Sequence, residues 1–264
     1  MKPRELIRFL FLAFIFSAAA QLGAQPAPVS PAQAPVRIRL LGVADMPSGI
    51  LRASGKDFVP LKVPYLSIGA PFDQAAGEFF ELNKLQADAQ NPAAQPKVVR
   101  IGRVPLPSRP GQVLVVLWPS PADKDGELVH GRAYEEGSAG FPEDTIKVIN
   151  LSPVPVAAVI GAEEAVMAPF DARLFKPEWN RQRKLRTQAA AQIKGDWVPF
   201  QNGFTSLQAG ARLYCLAIYD PRGLAHLYSS VGLAQQGGKL PPTFFWMQSE
   251  ELPPPTATLG NRGG

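Results

Sequence analysis

The feature that most limits how this chain can fold is a pattern written twice. Residues 113–118 (Val, Leu, Val, Val, Leu, Trp) and residues 213–218 (Leu, Tyr, Cys, Leu, Ala, Ile) are matching apolar runs. Each begins just after a glycine-containing turn, Pro110-Gly111 or Ala209-Gly210, and each ends at a polar turn that carries proline. Upstream, Arg37, Ile38, Arg39, Leu40 and Leu41 match Thr145, Ile146, Lys147, Val148 and Ile149. Cationic and apolar residues alternate there with the period of a strand that has one face in a core and one in water. Arg39 and Lys147 are therefore predicted to point outward. Each of these segments is followed by a predicted hairpin, 49–53 with 58–63 and 156–160 with 163–168, and then by Pro64-Tyr65 or Pro169-Phe170. Return strands are predicted at 126–130 and 223–226, which places the only two histidines, His130 and His226, at matching positions.

The reading is all-β: two tandem β-sandwich domains, residues 36–136 and 141–234. Short strands between turn signals roughly 8–12 residues apart suggest sandwiches. The pattern is similar to that of small immunoglobulin-like domains in exported bacterial proteins, without the Cys…Trp…Cys spacing of the antibody type. The two apolar runs are expected to be central strands covered on both faces. The 28 prolines leave no long helical pattern, and Pro60, Pro64, Pro105, Pro107 and Pro199 are expected at edges or strand ends, because proline cannot donate to a ladder. Residues 78–82 with 97–104, and 185–193 with 197–200, supply the remaining strands. Residues 177–193 have a second reading as a helix, with Pro177 in its first turn and helix-forming residues after it.

The ends predict export. Lys2, Arg4 and Arg8 precede an apolar stretch at 9–20, and small residues follow, so residues 1–24 read as a signal peptide cleaved after Ala20 or Ala24. The stretch is shorter than the ~20 residues that span a bilayer, so no transmembrane segment is expected in the mature chain. Cleavage removes three cations and Glu5, which lowers the net charge from +5 to +3. So mild an excess does not indicate a nucleic-acid partner. Residues 25–35 read as a Pro/Ala-rich linker and 253–264 as a disordered tail. Cys215 is the only cysteine, so no intramolecular disulfide forms. It falls mid-strand opposite Val115 of the other copy and is expected to be buried packing.

No catalytic, metal or nucleotide motif is present: no GxSxG, HExxH, CxxC, phosphate-binding glycine loop or GxGxxG. No cofactor or metal is expected. Asp123, Asp125 and Glu127 alternate before a hairpin, but a calcium loop starting at Asp123 would need its bidentate Glu where Tyr134 stands. The doublets Glu135-Glu136 and Glu163-Glu164 cannot each form a facing acid pair, since strand neighbours point to opposite faces. Solvated turn charges are the expected account. Asn150-Leu151-Ser152 matches a glycosylation sequon.

Two clusters remain as candidate sites. Lys176, Arg181, Arg183, Lys184 and Arg186 surround Trp179, a composition that either decorates a solvated connection or grips a polyanion such as a lipid headgroup or acidic glycan. Phe244, Phe245, Trp246 and Met247, in a segment at 235–252 with no predicted counterpart in the first copy, must either seal an edge or seam or dock a partner. The expected function is a non-enzymatic extracytoplasmic protein, periplasmic or secreted, with a binding or structural role toward an envelope protein or glycan. A carbohydrate-binding module is the alternative if two of Trp118, Trp179, Trp197 and Trp246 lie coplanar on one open face. A hydrolase is the other alternative if a cleft between the halves gathers several polar groups.

Overall fold

The computed structural model describes residues 34–88, 90–91, 93–108, 111–120, 127–220 and 243–252. The predicted signal, nearly all of the linker, the tail, the strand at 223–226 with His226, and the loop 121–126 lie outside them. The described residues are all-β, and no helix long and apolar enough to cross a membrane occurs among them.

The first half contains β1 (Val36–Gly42), β2 (Ile50–Ser54), β3 (Asp57–Pro60), β4 (Phe72–Gln74), β5 (Phe79–Gln86), β6 (Lys97–Pro105), β7 (Gln112–Pro119) and β8 (Val129–Glu135). The second contains β9 (Ile146–Leu151), β10 (Val156–Ile160), β11 (Glu163–Met167), β12 (Ala172–Phe175), β13 (Lys184–Ile193), β14 (Asp196–Ser206), β15 (Arg212–Asp220) and β16 (Thr243–Glu251). Sheets β4-β1-β7-β8 and β3-β2-β5-β6 form the first sandwich; β12-β9-β15-β16 and β11-β10-β13-β14 form the second. The second half thus repeats the first strand for strand, including the parallel pairs β1–β7 and β9–β15. Even an irregularity is repeated. The register slips between Leu82 and Asn83 in β5, and between Ala189 and Ala190 in β13, with Ile101 and Phe200 as the extra residues on the partner strands.

The inner sheets of the two sandwiches face each other. Ile38, Leu40, Val113, Val115 and Leu117 fill the first sandwich, and Ile146, Val148, Leu213, Cys215 and Ala217 the second. The alternate residues Leu41, Leu114, Val116, Ile149, Leu151, Tyr214, Leu216 and Ile218 meet in a third core, a seam between the halves. This is why β7 and β15 read as unbroken apolar runs: each is covered on both faces. From Pro35 onward the described chain forms one compact unit.

The seam overturns one expectation. Arg39 and Lys147, expected in water, point into it, because the face opposite each sandwich core is covered by the other half. Glu136, expected as a solvated turn charge, is fully buried and accepts bonds from Arg39, the Gln112 amide and the Tyr214 hydroxyl. Arg39 also reaches Glu251 at 3.0 Å. Lys147 is 6% exposed and donates to the Glu135 carbonyl. Burial pushes its ammonium down to about 8, against the pull of Glu136 and Glu135. Burial, reinforced by Glu136, raises the Tyr214 phenol well above its usual range.

Residues 184–193 are strand, not helix. Leu185, Thr187, Ala189 and Ala191 are buried while Lys184 and Arg186 are exposed, and β13 is laddered to both β10 and β14. Sheet pairing on two sides overrides the local helix propensity.

Candidate functional site

The aromatic segment is β16, the strand paired with β15, and it occupies the place that β8 holds in the first half. It therefore has a counterpart, contrary to expectation, and in register Phe245 rather than a histidine answers to His130. Phe244 and Trp246 turn toward the second sandwich core, where both rings approach Phe200. Phe245 and Met247 turn toward the seam. All four are half-buried. Trp246 faces the Cys215 thiol, whose pKa burial raises, with the indole a smaller opposing influence. Cys215 is fully buried, as expected.

The cationic cluster is divided between two tasks. Trp179 packs on the second core and donates its indole N–H to the Asp144 carbonyl. Arg183 lies over its ring, binds the Asp144 carboxylate and donates to the Leu207 and Gln208 carbonyls. The Gly210 amide, followed by Arg183, holds the Asp144 carboxyl below its ordinary range. These two residues tie a loop to the sandwich. Lys176 and Arg181 are exposed beside it. Lys184 and Arg186 instead stand on the outer face of β13.

That outer face is the candidate site. Side chains alternate along a strand, so Trp197 and Phe204, an odd number of positions apart on β14, would ordinarily point to opposite faces. The bulge at Phe200 shifts the alternation by one. Trp197 lies opposite Gln192, Asn202 opposite Gln188, and Phe204 opposite Arg186, all outward. Phe204 is 63% and Trp197 43% exposed. The Lys184 ammonium sits 4.8 Å from the Phe204 ring centre. Arg186 and Gln188 both donate to Asn202 Oδ1, at 3.3 and 3.5 Å. Between the rings the floor is shallow: Ala157 of β10, Ala190 of β13 and Pro199 of β14 share one row. Neither Lys184 nor Arg186 is paired with a carboxylate among the described residues.

The other residues singled out from sequence are scattered. Trp118 stacks on Phe170 at 4.7 Å, on the seam side. Of the four tryptophans only Trp197 is exposed, so no two of them share an open face. His130 lies 4.0 Å from Glu127. Glu163 and Glu164 are exposed, and Glu163 accepts the Lys176 amide. Asn150 of the sequon is fully buried, and its amide donates to the Val154 and Ala168 carbonyls, so it is closed to glycosylation in the fold. No group of three or more metal-ligating side chains occurs among the described residues.

A cleft of about 290 Å³ opens at the seam between β8 and β12, lined by Arg132, Tyr134, Glu135, Lys147, Asp171 and Arg173. It mixes charges of both signs. The Tyr134 hydroxyl is committed to the Phe170 carbonyl at 3.0 Å. No protein-family model matches the chain, and no curated protein matches it at a significant level.

Proposed function

We propose that this chain is an exported, non-enzymatic β-sandwich protein with a binding or structural role in the cell envelope, and that it meets its partner through the outer face of β11-β10-β13-β14. In this reading each sandwich is immunoglobulin-like, residues 1–24 are a cleaved signal, and the mature protein works in the periplasm or after release. The observation that carries the contact surface is the bulge at Phe200, which brings Trp197 and Phe204 onto one open face beside two cations that have no carboxylate partner among the described residues. Exposed aromatic side chains in company with arginine are what interfaces favour, since they offer large contact area at small entropic cost. The β16 aromatics are half-buried in closing the sandwich and the seam, which favours the more open rings of β14 as the contact.

The test is retention of envelope components by immobilised wild-type chain and by the double variant Arg186→Ala, Phe204→Ala. The expected result is a component held by the wild type and lost by the variant. Equal retention by both, or nothing above the bare support, overturns the assignment.

The second reading, a carbohydrate-binding module, draws on the same two rings. The expected pair of coplanar tryptophans is not formed, and the reading rests instead on Trp197 and Phe204, with hydrogen-bonding groups between them.

A further inference from the structure

We infer that the outer face of the second sandwich is shaped for an acidic polysaccharide laid along β14. The inference rests on the reading of that face as the contact surface, and names its ligand.

Three observations converge on this ligand. The first is layout. Trp197 and Phe204 stand at either end of the strand, about 20 Å apart at the usual rise per residue, which leaves room for several sugar rings between two stacking platforms. The second is the polar content of the gap. Gln188, Gln192 and Asn202 line it, and amides supply donors and acceptors together, as a row of hydroxyl groups requires. Asn202 uses its oxygen within the face, and its amide hydrogens make no bond among the described residues. The floor of Ala157, Ala190 and Pro199 is a row of small side chains, which leaves the rings at either end to make the contact. The third is charge. Lys184 and Arg186 crowd the Phe204 end without a carboxylate partner among the described residues, while Glu164 sits on β11 at the far side of the sheet. A neutral glycan would leave both cations unanswered; a uronic acid or sulfated chain would pair them.

The equivalent face of the first sandwich is a built-in control. Glu81 lies directly opposite Arg103 there, and Arg103 stacks over Phe79 at 4.8 Å, so a carboxylate stands across the strands from the cation, as none does at Arg186.

The experiment is titration of the chain lacking residues 1–24 with polygalacturonate, with its fully methyl-esterified form, and with phosphatidylglycerol vesicles. Expected is saturable binding to polygalacturonate that weakens with salt and is absent or at least about tenfold weaker for the neutral ester. Arg186→Ala and Phe204→Ala should each weaken binding about tenfold, while Arg103→Ala on the first sandwich leaves it unchanged. Equal binding of acid and ester, or no effect of the two β14-face variants, overturns the inference. Binding to vesicles alone assigns the cations to a lipid headgroup and also overturns it. If no polysaccharide binds but the double variant still loses an envelope component, the glycan falls and the contact surface stands. If neither is seen, both fall.

Discussion

The two halves share a topology and a bulge, yet they close their outer edges with opposite materials. In the first half, Gly131 of β8 lies opposite Leu117 of β7. A Cβ at Gly131 would come within 2.6 Å of Leu117, 2.7 Å of Val104 and 2.8 Å of the Val116 carbonyl. In the second half the same two positions hold Trp246 and Ala217. A large residue on the inner strand demands a glycine on the edge strand, and a small one leaves room for an indole. Gly102 repeats the theme: a Cβ there would meet the Val129 carbonyl at 2.2 Å, so the first sandwich is pinched shut at β6 and β8. The second is held by Phe200, Phe244 and Trp246. An aromatic run that looks adhesive in sequence is therefore the volume complement of Ala217 and its neighbours. Close packing accounts for the inward half of that run.

Each side of this comparison can be broken separately. Trp246→Ala should cost about 3 kcal/mol, toward the low end for a buried tryptophan because the ring is only half-buried, read from denaturant midpoints. Trp246→Gly combined with Ala217→Leu transplants the first half's pairing, and should recover about 1 kcal/mol relative to Trp246→Gly alone. No recovery would mean that the two edges are not interchangeable solutions to one packing problem.

The seam offers a comparison by pH. Arg39 and Lys147 occupy equivalent positions, but only Lys147 can lose its proton. Its folded value of about 8 lies below its ordinary 10.5. The unfolded chain therefore holds the extra proton between those values, and stability gained from Lys147 rises with pH across that window. Whatever advantage Lys147→Met has over the wild type below pH 8 should shrink by about 3 kcal/mol on reaching pH 10.5. An advantage that does not change with pH would place Lys147 in water. In the first half, Gly131→Ala should cost about 2 kcal/mol through overpacking. Smallest of all, Arg186→Ala should change stability by less than about 0.5 kcal/mol, as suits an exposed side chain.

Much of this architecture is legible in the sequence, and the gaps have physical causes. Alternation locates β1 and β9, and unbroken apolar runs locate β7 and β15 as strands buried on both faces. The hairpins β2–β3 and β10–β11 follow from Ser54-Gly55 and Gly161 at their turns. The edge strands β4 and β12 are too short for a period to emerge among prolines and glycines. Arg39, Lys147 and Glu136 mislead because alternation shows only that a strand has two faces. It does not show that a second copy of the fold covers the other one. The candidate face is hidden for a related reason. Lys184 and Arg186 stand out as charge, but Phe204, Trp197 and Asn202 join them only through the bulge at Phe200, and nothing in the local sequence marks where an alternation will slip.

The central claim is that two copies of one sandwich, sharing a seam, make a single body rather than beads on a string. Calorimetric unfolding of the chain lacking residues 1–24 tests it directly. A single transition whose calorimetric and van't Hoff enthalpies agree is the expected result. Two resolved transitions, each keeping its midpoint in Glu136→Gln, would contradict it, because the halves would then be folding without regard to the seam that Glu136 is buried in.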